Sequence, residues 1–209
     1  MTAKSPLFIA LEARLEALTN KYVADQIPQE TDPDFIADMD HLAAYRLLVH
    51  AEIEDYLERK ARAALDEIDK LLSTGSFNVE DVKVILDLAL YFKKEIPLQL
   101  PFEVKDFCSA AKVVAKSARD FIDDNNGIKS TSLLVCCLIL NKPIDKVDAS
   151  LVISLNAFGK ARGDVAHKSV SRVTSIYAPS AEKQSAHNVI AELEDCLKAK
   201  RLKAALQLF

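Results

Sequence analysis

An all-α bundle is the fold this chain predicts. Apolar residues recur at three- and four-residue spacing along nearly all of it, and no segment alternates with the period of two that a strand needs. Glycine (four) and proline (seven) are scarce among 209 residues, which favours few, long elements. We expect about six helices, one of them very long, in a single domain over 1–209. Within it, 1–33 is an N-terminal helix and linker, 34–170 the core and 171–209 a C-terminal helix. Half the residues are apolar, enough to bury a full core and to argue against disorder.

Residues 5–22 place Leu7, Phe8, Leu11, Leu15 and Leu18 on one face, a first amphipathic helix. Pro28 and Pro33 punctuate the next segment. There Thr31-Asp32-Pro33-Asp34 reads as a helix start, a capping side chain before a first-turn proline. From there to Ser73 run about 40 residues without Gly or Pro, a helix that either spans the domain or bends. Ser73-Thr74-Gly75-Ser76 ends it. Residues 79–95 form the next helix, closed by Pro97 and Pro101, and 103–123 another, stopped by Asp123-Asp124-Asn125-Asn126-Gly127. Ser130 opens a short apolar helix over 130–141, and helices over 147–168 and 180–207 complete the set.

The net charge of −4 is not that of a strongly basic nucleic-acid binder, so any RNA contact must be local. One basic patch exists: Lys160, Arg162, Lys168 and Arg172 against Asp164 alone within 158–172. A second cluster, Lys198, Lys200, Arg201 and Lys203, reads first as a solvated helix face. Met1 to Pro6 has no charged-then-apolar signal pattern, and the longest apolar run, Leu133 to Leu140, is far short of the roughly 20 residues that span a bilayer. We therefore expect a cytoplasmic protein without a membrane segment. Cys108, Cys136, Cys137 and Cys196 show no zinc spacing, and adjacent Cys136 and Cys137 read as small core residues.

Chemistry gathers in the helix over 147–168, which contains Arg162-Gly163-Asp164-Val165-Ala166-His167. Arginine and histidine suffice to cut RNA without a metal. Imidazole moves a proton near neutral pH, and guanidinium clamps a phosphate through two parallel hydrogen bonds. Alone, Arg-x4-His is a pattern that chance supplies often; its setting gives it weight. On a helical wheel Leu151, Leu155, Phe158 and Val165 share one face with Arg162 in its middle, and Asn156, Lys160, Gly163 and His167 fall opposite. A guanidinium on an apolar stripe needs a partner. Arg162 is therefore either a structural ion-pair residue or a site residue, with Glu54 and then Glu52 as candidate partners.

Arg46, His50 and Glu54 repeat four apart on the long helix, on the face that carries Leu42, Ile53 and Leu57. They form either a surface ladder of ion pairs or a polar lining that meets Arg162 and His167. A histidine and a glutamate four apart could hold a metal, but with no third ligand in view we expect no metal and no cofactor. His50-Ala51-Glu52 echoes a zinc-deaminase signature without the Pro-Cys-x-x-Cys that signature requires.

Two of the four glycines, Gly159 and Gly163, flank Arg162 in one helix, where each costs about 1 kcal/mol relative to alanine. With Ala166 they form a smooth strip suited to a tight helix crossing, either within the chain or with a second subunit. Arg162 and His167 are about 7.5 Å of rise and about 140° apart around the helix. Two copies related by a two-fold axis converge such groups more easily than one, which favours a homodimer.

These residues resemble the HEPN superfamily, all-α domains marked by Arg, four to six residues, then His near a helix end, and most closely its RiboL-PSP-type branch. Residues Asp40 to Leu57 resemble that branch's first core helix, and Asn156 to His167 its motif helix. The likeness covers roughly 34–170. It implies a HEPN-like core and a homodimeric, metal-independent endoribonuclease, commonly a toxin or phage-defence effector with an antitoxin or other protein partner. By position, Arg162 and His167 would be catalytic, and Arg46, His50, Glu54 and Asp164 would support them. Many members place a polar residue directly after the arginine; here it is Gly163. The expected function is RNA cleavage that leaves a 2′,3′-cyclic phosphate, with Lys160, Lys168 and Arg172 contacting RNA and Gly159, Gly163 and Ala166 at the dimer interface. The alternative is a non-catalytic HEPN interaction or RNA-binding module that acts with a partner.

Overall fold

The computed structural model describes residues 4–97, 103–142, 144–167 and 176–198, and the described residues hold seven α-helices and no strand. They are α1 (Pro6–Tyr22), α2 (Met39–Thr74), α3 (Val79–Tyr91), α4 (Val104–Asp123), α5 (Ser130–Ile139), α6 (Ala149–His167) and α7 (Pro179–Lys198). None is long and apolar enough to cross a membrane. Short 3₁₀ turns occupy Ile27–Thr31 and Ile144–Lys146.

Local chemistry explains most boundaries. Ser5 caps α1 by accepting from the Phe8 amide at 3.2 Å, with Pro6 in the first turn. Asn78 and Asp81 close a reciprocal capping box at the start of α3, at 3.0 and 3.1 Å. The start of α2 differs from the sequence expectation. Thr31–Asp34 does not open it, because the Asp32 carboxylate accepts from the Asp34 amide at 2.9 Å and holds a turn instead. The cap is Asp38, whose side chain accepts from the His41 amide at 2.9 Å. Helix α3 also stops earlier than expected, just before Lys93 takes a φ of 52°. Helix α5 likewise stops before Asn141, at φ 51°.

The chain divides into two compact units. The first comprises α1, the Met39–Tyr56 half of α2, residues 127–130, α6 and α7. Phe8, Leu11, Leu15 and Leu18 of α1 are buried, as are Leu42, Val49 and Ile53 of α2, Leu151, Leu155 and Phe158 of α6, and Val189 and Leu193 of α7. Tyr56 meets Phe8 edge-on at 5.8 Å, and the Tyr45 hydroxyl shares a buried hydrogen bond of 3.1 Å with Thr19. Val165, near the end of α6, packs with Ala43, Leu47 and Ile176.

The second unit comprises Leu57–Thr74 of α2 with α3, α4 and nearly all of α5. Leu65, Leu88, Ala111, Ile122 and Leu133 are among its buried apolar residues. Phe77 meets Phe107 edge-on at 5.5 Å. Arg119 reaches Asp66 and Asp69 at 3.0 and 2.8 Å. Cys136 and Cys137 are buried here, and burial pushes the Cys136 thiol up to about 12, so it serves as an unreactive core residue.

Candidate functional site

The candidate site lies in the first unit and is built on the inward face of α2. Arg46 and His50 are 2% and 1% exposed and Glu54 is partly buried, so the three form a buried polar column and not a surface ladder. Each has a different partner, because each stands at a different height along the helix.

Arg46 is neutralised from α7. Its Nε donates to Glu182 Oε2 at 3.1 Å and its Nη2 donates to Glu182 Oε1, while the Tyr177 amide donates to that same Oε1 at 2.8 Å. The Tyr177 ring lies 5.8 Å from the guanidinium carbon. Glu182 is a site residue that sequence reasoning missed. It stands in the first turn of α7, where an acidic residue reads as ordinary complementation of the helix dipole.

His50 meets backbone. Its Nε2 accepts from the Ile128 amide at 3.3 Å, which puts the ring proton on Nδ1, 3.7 Å from Glu54 Oε2. Its ring stacks on Phe158 of α6 at 6.0 Å. Burial first, and the positive charge of Arg162 second, lower its pKa to about 4. At neutral pH His50 is therefore a neutral hydrogen-bonding residue. The Glu54 carboxylate accepts from the Gly127 amide and so anchors the segment that presents Ile128.

Gly159 makes this close approach possible. A Cβ there would sit 2.6 Å from the Ile128 carbonyl oxygen and 3.8 Å from His50 Nε2. Of the two alternatives for its smooth surface, the crossing within the chain is the one seen here, against residue 128. Gly163 behaves differently, since a Cβ there meets nothing within 4 Å, and Ala166 is exposed.

Arg162 is partly buried between Phe158 and Val165, which are 5% and 6% exposed, where the wheel projection puts it. The expected pairing with Glu54 or Glu52 is corrected. Glu54 is engaged by the Gly127 amide beside His50, and Glu52 by Arg14 at 2.7 Å. Among the described residues Arg162 forms no ion pair. Lys160 is exposed and Asp164 partly buried on the same helix. His167 is the last residue of α6, and its side chain lies outside the described residues, as do Lys168 and Arg172. The His, Cys, Asp and Glu side chains among the described residues form no group of three that could hold a metal.

No protein-family model, curated protein or solved structure matches this chain.

Proposed function

We propose that the chain is a metal-independent endoribonuclease with a HEPN-like fold, in which Arg162 and His167 act on the RNA backbone. One observation carries the reading. Arg46 is fully paired, His50 is held neutral, and Arg162 is the cation of the buried stripe that no carboxylate among the described residues neutralises. A guanidinium in that condition is available to a phosphate.

In the proposed reaction the ribose 2′-oxygen attacks phosphorus while the bond from phosphorus to the 5′-oxygen breaks. His167 takes the 2′-hydroxyl proton or gives a proton to the leaving oxygen, solvent water makes the other transfer, and Arg162 stabilises the charge that builds on the non-bridging oxygens. The products are a 2′,3′-cyclic phosphate and a 5′-hydroxyl. Two copies, meeting near Gly163 and Ala166, supply the pair from opposite sides and leave a groove for RNA. A protein partner that neutralises a toxin or phage-defence effector fits the same reading.

Purified protein incubated with structured RNA in excess EDTA tests it. Cleavage with a cyclic-phosphate product, lost in His167→Ala without a change in melting, is the expected result. Cleavage that EDTA abolishes and magnesium or manganese restores overturns the mechanism. A folded His167→Ala protein that retains full activity overturns the assignment of His167.

A further inference from the structure

Between α6 and α7 of the first unit lies a cavity of about 330 Å³. Its walls are two helical stripes: Ser154, Ala157 and Ala161 on α6 face Ser185, Asn188 and Glu192 on α7. Ile153 and Val189 add apolar surface, and the Arg46–Glu182 pair lies at the base. That pair cancels its own charge, so Glu192 sets the sign of the cavity. Glu192 Oε2 is buried and has no hydrogen-bond partner among the described residues. Among the charged side chains that line the cavity, Glu192 alone has no ion-pair partner among the described residues, and a ligand that brings a charged N–H donor supplies one.

We propose that this cavity binds a small organic cation, a primary ammonium on a short alkyl chain. The ammonium sits on Glu192, with the hydroxyls of Ser154 and Ser185 offering further acceptors, and the chain lies along Ile153, Ala157 and Val189. An anion is disfavoured because it would meet the Glu192 carboxylate. Arg162 does not line this cavity, so the proposal does not depend on the nuclease reading.

Calorimetric titration of the full chain with n-pentylammonium, beside n-pentanol at matched ionic strength, tests the proposal. One ammonium should bind per chain and raise the melting temperature, while pentanol at the same concentrations should do neither. Glu192→Gln keeps the shape and should weaken ammonium binding by at least about tenfold. Ala157→Leu fills the cavity from the opposite wall and should abolish binding even if the Gln variant folds poorly. No ammonium binding, equal binding of the alcohol, or unchanged affinity in either folded variant overturns the proposal.

Discussion

Arg46 and Glu182, 136 residues apart in the chain, form an ion pair with both side chains 2% exposed. Removing one partner strands a buried charge, whereas removing both leaves a packable space. Glu182→Ala is expected to lower the unfolding free energy by about 3–5 kcal/mol, and Arg46→Met with Glu182→Leu to recover most of that loss. Denaturant unfolding at fixed pH reads both. A loss for Glu182→Ala below about 1 kcal/mol, the value of an exposed pair, contradicts the burial.

His50 predicts an acid-sensitive stability. Its native pKa of about 4 lies below the ordinary 6.5, so between those values the unfolded chain holds a proton on this residue that the folded chain does not. Its contribution is intact above pH 6.5 and falls as the pH drops toward 4, by about 3 kcal/mol in all. His50→Gln, which can still accept from the Ile128 amide, should flatten this part of the curve. An unchanged pH slope in that variant assigns the acid sensitivity to other groups.

Gly159 and Gly163 are expected to respond with opposite signs to the same substitution. Gly159→Ala pushes a methyl group into the Ile128 carbonyl and should cost about 1–3 kcal/mol. Within a single chain Gly163→Ala enters open space and should stabilise the monomer's helix by about 1 kcal/mol. Thermal melts at two protein concentrations separate the cases. If Gly163→Ala lowers the melting temperature only at high concentration, that glycine lies at a subunit interface, as the proposed dimer requires. For the same reason Gly163→Leu should weaken that dimer and its cleavage together.

Arg162→Ala should abolish RNA cleavage while changing stability by no more than about 1 kcal/mol, because no ion pair among the described residues is broken. The same variant removes one of the two causes that depress His50, so the His50 pKa should rise. Titration of the His50 ring proton by NMR follows this directly. A His50 titration that does not move places the guanidinium out of electrostatic reach. A loss of several kcal/mol would restore a buried partner for Arg162.

The helical class and the apolar stripe of α6 were legible from residue spacing alone. Leu151, Leu155, Phe158 and Val165 are buried together because a helix repeats every 3.6 residues whatever it packs against. The inward turn of Arg46 and His50 was legible only as one of two alternatives, since a wheel gives a face and not its neighbour. Tertiary structure decided the rest. Glu182 was chosen as partner to Arg46, the Ile128 amide met His50, and Gly159 rather than Gly163 received the close contact. Those outcomes depend on segments far apart in the chain and, at residues 127 and 128, on backbone groups that every residue carries and no side-chain pattern marks. Periodicity is a property of each helix by itself, whereas the pairing of a buried charge is settled only when two helices meet.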